Sequence, residues 1–181
     1  MITQVSGSAN YEAAIGYVSG DVADQNRKKN AIKVLAYQHF GQSCGYWPDS
    51  TPNTYDKLNV RTGQYWLWGP MHFFAFVDPT TKQITDARTR AFIELVTGKA
   101  APPAGLDVLK ITVDAGNVPK CAMNVWRSGD LGPLMSYQPD EPCGCGFEKL
   151  ATGATSCTPC ATSATCPSSH PVCRNSYCEV K

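Results

Sequence analysis

Seven of the nine cysteines in this 181-residue chain crowd into residues 143–181: Cys143, Cys145, Cys157, Cys160, Cys166, Cys173 and Cys178. The stretch around them is rich in Ser, Thr and Pro and nearly free of aliphatic side chains, so it has little to bury. Such a segment is ordered by covalent cross-links, each restricting the unfolded chain and contributing about 2–4 kcal/mol. Disulfides in turn need an oxidising compartment, which predicts a periplasmic, cell-surface or secreted protein. With Cys44 and Cys121 the total is odd, so one thiol is left without an intramolecular partner.

A zinc site is the competing use of such cysteines. Cys157-Thr-Pro-Cys160 is one C-x-x-C knuckle and His170 lies between Cys166 and Cys173. The other close pair, Cys143-Gly-Cys145, is too tightly spaced for a second knuckle. The same C-x-x-C sits in a loop rather than at a helix start after a strand, which argues against dithiol redox chemistry. Neither a metal nor a cofactor is expected. Residues 1–10 carry neither the basic nor the apolar region of a secretion signal. Together with the odd cysteine, this leads us to expect the C-terminal part of a longer secreted protein.

Charge and hydropathy close off other classes. Sixteen Lys and Arg balance 15 Asp and Glu, leaving a formal charge of +1 and no dense positive field for a nucleic-acid backbone. No apolar run approaches the roughly 18 residues of a membrane-spanning helix. Aromatic residues make up 10% of the chain, against disorder, and its length predicts a core burying roughly 70% of the unfolded surface.

Patterning places the elements of an α/β domain ahead of the tail. Residues 13–19 and 31–40 read as strands, separated by a polar helix over 21–30 whose Arg27, Lys28 and Lys29 form a solvated face. Residues 41–54, with two Gly and two Pro, form a loop, and a helical turn follows at 55–60. Residues 64–77 (QYWLWGPMHFFAFV) carry β-formers on both faces and predict a strand buried on both sides, interrupted at Gly69-Pro70. Residues 85–97 give the clearest helix, with an Ala87, Ala91, Phe92, Leu95 and Val96 stripe and Gly98 at its end. Residues 106–113 suit either state.

In order and spacing these segments resemble the later half of a type 2 periplasmic solute-binding protein. The residues that carry the likeness are Ala14-Ile15-Gly16-Tyr17, Ile32-Lys33-Val34-Leu35-Ala36-Tyr37, Trp66-Leu67-Trp68-Gly69-Pro70 and the helix over 90–98. The phosphate-binding branch is the nearest. Residues 38–45, 48–51, 117–123 and 142–148 resemble secreted proteins of myxobacterial type that add a Cys-rich tail to such a domain. The resemblance implies an α/β fold, part of a periplasmic-binding-protein type 2 fold, over residues 1–142, and a small, irregular, disulfide-stapled tail over 143–181. It implies a non-catalytic secreted protein for phosphate, another small oxyanion or a sugar. The anion-gripping groups of that family come from a first half that this chain does not contain. A missing N-terminal-half partner, or an envelope protein reached through the tail, is therefore expected.

Two sets of residues carry candidate chemistry. Gly41-Gln42-Ser43-Cys44-Gly45 matches the G-x-S-x-G nucleophile elbow of serine ester hydrolases, with His72 or His170 as the only later histidines to serve as base. Pro48 and Pro52 forbid the helix that should follow the elbow, so a plain Gly-rich loop with Cys44 in a structural disulfide is the alternative. Ser50, Thr51 and Thr54, with Arg61 nearby, offer hydroxyls and a guanidinium to an oxyanion or sugar, or else cap a turn. Trp47, Trp66 and Trp68 stack on sugar rings or a polymeric ester if exposed, and are core if buried.

Overall fold

Helices carry this structure, and among the described residues regular strands are confined to two small antiparallel pairs. The computed structural model describes residues 2–180. Its helices are α1 (Ile2–Ser6), α2 (Gly20–Arg27), α3 (Leu58–Arg61), α4 (Ala87–Val96), α5 (Val108–Asp114) and α6 (Gly144–Thr152). The strands β1 (Val125–Trp126) and β2 (Met135–Ser136) pair antiparallel, as do β3 (Val172–Arg174) and β4 (Tyr177–Glu179). Helix starts follow local chemistry: Asp86 accepts from Thr89 N–H at the head of α4, and Asp107 from Lys110 N–H at the head of α5. Gly98, at φ 74°, lies just past the end of α4, where only a residue free of a Cβ turns the chain without strain.

The core is small and joins the tail to the rest. Val113 of α5, Ala122, Cys143 and Phe147 of α6 are buried together, with Leu109, Val118, Cys121 and Ala151 packed against them. The Cys121–Cys143 disulfide runs through this cluster, and Cys143 N–H donates to Cys121 O at 2.9 Å. Arg61 of α3 covers it: the guanidinium lies 5.0 Å from the Phe147 ring and Nε donates to Ala122 O at 2.8 Å. Cysteine and phenylalanine at 143 and 147 share one face of a helix by their spacing, so α6 supplies the apolar surface that the remainder of the tail lacks.

Four disulfides staple the chain: Cys121–Cys143, Cys145–Cys157, Cys160–Cys173 and Cys166–Cys178. The unpaired thiol is Cys44, which is exposed, so the expected structural disulfide at Cys44 is not formed. Beyond α6 the tail returns through the β3–β4 hairpin. Arg174 opposes Tyr177, leaving Asn175-Ser176 as a two-residue turn with φ of 47° and 67°, the type I′ geometry that matches strand twist. A Cβ on Gly146 would fall 2.8 Å from Asn175 Cβ, so the hairpin tip rests directly on bare helix backbone. Glu179 closes the arrangement by accepting from Cys145 N–H at 2.8 Å and Gly146 N–H at 3.4 Å at the head of α6. Burial pushes its carboxyl pKa up, against the pull of those N–H groups and Arg61.

The three segments read as strands form no ladder among the described residues. Residues 13–19 and 31–40 are irregular, apart from one bridge between Tyr37 and Tyr46. Residues 64–77 contain only a bridge from Val77 to Ile84, and Phe74 and Phe76 are 93% and 91% exposed rather than buried. The α4 stripe buries no residue either, although Phe92 meets Phe73 edge-on at 5.8 Å. A strand exists through its neighbour's hydrogen bonds; Phe76 and Val77 meet Thr85 and Ile84, but among the described residues no backbone hydrogen bond reaches residues 71–75.

Candidate functional site

Trp66 and Trp68 flank a tight turn in which Trp68 N–H donates to Trp66 O at 2.9 Å, and both rings meet one guanidinium. The Arg127 guanidinium carbon sits 5.5 Å from the Trp66 ring centroid and 4.3 Å from that of Trp68. His39 stacks on Trp66 at 4.1 Å with the rings 3° apart, so imidazole, indole and guanidinium form one ladder. Arg127 is completely buried, and its Nη2 donates to Trp66 O at 3.3 Å. Its Nε and Nη1, and Trp68 Nε1, are buried without a partner among the described residues. Burial lowers the Arg127 pKa, with the Asp130 charge opposing. Two ring faces supply the compensation that a carboxylate would otherwise give, each about 0.5–2 kcal/mol.

Beside this ladder lies an open cavity of about 390 Å³ lined by Tyr17, Leu67, Trp68, Gly69, Pro70, Asp130 and Leu131. Asp130 Oδ2 lies 3.2 Å from His72 Nε2. The carboxylate reaches in because position 69 is glycine: a Cβ there would stand 2.6 Å from Asp130 Oδ1. Leu131 holds a left-handed φ of 57°, unusual for a branched side chain, at the rim. Aromatic walls, apolar flanks and one carboxylate are the chemical content of the cavity.

A second polar assembly is closed. Asp49, fully buried, accepts from Arg27 Nη1 at 2.8 Å, Lys57 Nζ at 3.0 Å and Lys57 N–H at 2.8 Å. Asp24 pairs with Lys57 Nζ at 2.6 Å, and Tyr55 lies 4.4 Å from the Arg27 guanidinium. Two cations and two carboxylates balance. Burial lowers the Arg27 pKa, but the hydrogen bond and charge of Asp49, aided by Asp24, outweigh it and raise the guanidinium above its usual range. Burial likewise raises Asp24, with Lys57 opposing. Arg27 therefore sits inside this cluster and not on a solvated face. The cluster pins α2 to the loop before α3 and balances its charges internally, with Arg27 Nε buried 3.9 Å from Asp24 Oδ1 and without a hydrogen-bond partner.

The residues singled out from sequence are scattered. Ser43 is exposed and, among the described residues, no histidine hydrogen-bonds it; His72 pairs with Asp130, and His170 Nδ1 lies 3.0 Å from the Ser169 hydroxyl. The neighbouring Cys44 thiol hydrogen-bonds the Tyr46 hydroxyl and raises its pKa. Ser50, Thr51 and Thr54 do meet: Ser50 Oγ is 3.0 Å and Thr51 Oγ1 3.2 Å from Thr54 Oγ1. Their partner is Asp56, to which Ser50 donates from Oγ at 2.6 Å and from N–H at 2.8 Å. Burial raises Asp56, but the Ser50 hydroxyl and the Ser50 and Leu58 N–H groups bring it below the usual range. Arg61 turns away from these hydroxyls toward Ala122 and Phe147, and burial lowers its pKa. Trp47 contributes its carbonyl to Asn59 Nδ2, outside the ladder. Cys160, Cys166 and Cys178 place their sulfurs within 4.8 Å of one another, but all three belong to disulfides.

Sequence reading missed His39, Arg127 and Asp130. Only the doublet Trp66-x-Trp68 hinted at the ladder, because nothing local marks an arginine some 60 residues away as its filling. Protein-family models, curated proteins and solved structures offer no match to this chain.

Proposed function

We propose that this chain is a secreted, non-catalytic, solute-binding-like protein, and that its solute is a small neutral sugar held in the Tyr17–Trp68–Asp130 cavity. The observation that carries this is the pairing of two aromatic side chains with a carboxylate around about 390 Å³, within the size range of small-molecule sites. Aromatic faces cover the apolar C–H face of a pyranose, and a carboxylate accepts from two hydroxyls at once. Asp130 argues against the phosphate or other oxyanion that the resemblance implies, since it repels an anion. Arg127, the cation beside it, is committed to the ladder and does not line the cavity. Four disulfides fit an oxidising compartment, and no helix among the described residues is long and apolar enough to cross a membrane.

The test is calorimetric titration of the oxidised chain with glucose, galactose, N-acetylglucosamine and, separately, inorganic phosphate. Saturable binding of one sugar, weakened at least tenfold by Trp68→Ala and by Asp130→Asn, is expected. Phosphate binding with all three sugars silent refutes the sugar reading. Hydrolysis of a p-nitrophenyl ester that disappears in Ser43→Ala refutes the non-catalytic one.

A further inference from the structure

Lys57 alone among the described lysines is buried, and two carboxylates meet its ammonium group. Nζ lies 2.6 Å from Asp24 Oδ2 and 3.0 Å from Asp49 Oδ1. The Lys57 and Asp24 side chains are each 7% exposed and that of Asp49 is 0% exposed, so little water reaches the three groups. The surroundings hold them in place. Lys57 is left-handed at φ 48°, and its N–H donates to the same Asp49 Oδ1 at 2.8 Å, so one oxygen holds both ends of the lysine. Bare backbone stands against Asp24, since a Cβ on Gly116 would fall 3.1 Å from Asp24 Oδ2. Tyr55 adds an aromatic wall, its ring centroid 5.8 Å from Lys57 Nζ.

The two carboxylates differ in how they are held. Asp49 spreads its charge over Arg27 Nη1, Lys57 Nζ and Lys57 N–H, which makes its carbon a poor electrophile. Asp24 is met by Lys57 Nζ, and burial raises its pKa, which favours the protonated acid. Arg27 Nε lies 3.9 Å from Asp24 Oδ1, buried and without a hydrogen-bond partner among the described residues. An idle buried donor is costly in a finished ion-pair network. It suits an oxygen that gains negative charge during a reaction.

We infer that Lys57 and Asp24 condense to an intramolecular isopeptide bond with Asp49 as proton carrier, and that the ion pair seen here is the state before condensation. A proton passes from the Lys57 ammonium to Asp24 Oδ2, giving a neutral amine against a neutral carboxylic acid. The Nζ lone pair then attacks Asp24 Cγ. An amine hydrogen-bonded to a carboxyl oxygen stands roughly 3–3.5 Å from the carboxyl carbon, the near-attack range. Charge developing on Asp24 Oδ1 faces Arg27 Nε. Asp49 Oδ1 takes the amine proton and returns it to the departing Oδ2 hydroxyl. The Cγ–Oδ2 bond breaks and one water leaves, so ammonium and carboxylate become amide and water with no oxidant, reductant or cofactor. Arg27 and Asp49 remain as one balanced pair at 2.8 Å. Condensation removes two desolvated charges, while proximity and the exclusion of water oppose hydrolysis. The bond ties α2 to the loop before α3, and no reductant opens it. This inference is independent of the sugar reading, because none of these residues lines that cavity.

The test is the intact mass of the freshly refolded, oxidised full chain, sampled in acid during a week at 37 °C. The expected result is conversion from the mass of the sequence with four disulfides to a species lighter by one water. Proteolysis after reduction then releases one branched peptide, and tandem mass spectra place its junction at Lys57 and Asp24. Lys57→Met and Asp24→Ala each keep the full mass. Asp49→Asn, folded by circular dichroism, converts at least tenfold more slowly than the parent. Where a variant does not fold, the branched peptide of the parent chain decides alone. Full mass retained throughout the week overturns the inference. So do a lost water confined to a single unbranched peptide, which marks a succinimide, and a branch joining Lys57 to Asp49. Conversion at the parental rate in folded Asp49→Asn overturns it as well.

Discussion

Asp49 is the residue whose loss tests the packing argument most severely. It is fully buried and accepts from two cationic side chains and one backbone N–H, all at 2.8–3.0 Å. Asp49→Leu removes one of two negative charges and leaves Arg27 and Lys57 sharing Asp24 alone, in a site where both cations are less than a tenth exposed. An uncompensated buried charge costs about 3–5 kcal/mol. Because a chain of this size loses roughly 2–4 °C per kcal/mol, the melting temperature falls by about 6–20 °C. Adding Arg27→Met restores neutrality, since the 2.6 Å Asp24–Lys57 pair remains intact. The double variant is therefore expected to be more stable than Asp49→Leu alone, by about 2 kcal/mol or more. Urea unfolding of the oxidised proteins, followed at 222 nm, measures all four corners of the cycle. A single-variant loss below about 1 kcal/mol, or a double variant no better than the single, refutes the claim that charge balance holds this cluster.

The remaining expectations concern the tail, the loop and the free thiol. Ser176→Gly relieves a left-handed residue in the hairpin turn and raises stability by about 1 kcal/mol, read as a higher urea midpoint with unchanged slope. Gly146→Ala forces the hairpin off α6, and faster exchange at Cys145 and Gly146 N–H, which Glu179 holds, is its readout. Asp56 has a folded pKa below its unfolded value, so its stabilisation is complete above pH 3.8 and is lost as pH falls through the folded value. Asp56→Asn therefore lies below the parent in stability near neutral pH, and the two curves converge in acid; parallel curves down to pH 2 contradict the assignment. Dithionitrobenzoate titrates one thiol per native chain, at Cys44, and none after Cys44→Ser, which leaves the melting temperature unchanged. Reduction of the disulfides opens the β3–β4 hairpin, because the two crossing bridges at Cys160–Cys173 and Cys166–Cys178 are its main supports.

Local rules account for the parts that came out as read. The Asp-x-x pattern and Gly98 bracket α4 whatever lies around them, since a helix satisfies its hydrogen bonds within itself. Cysteine density and an odd count determined a cross-linked tail with one spare thiol, although only folding decided that Cys44 is the spare. Non-local partners decided the rest. Residues 64–77 have strand composition, yet a strand is made by the backbone beside it, and this segment finds one only at its end, where Val77 bridges to Ile84. Arg27 and Arg127 look like surface charges in sequence; one is buried because Asp49 lies 22 positions on, the other because two indoles enclose it from 61 and 59 positions back. Pairing and charge compensation join residues distant along the chain, and periodicity within a short window carries no trace of them.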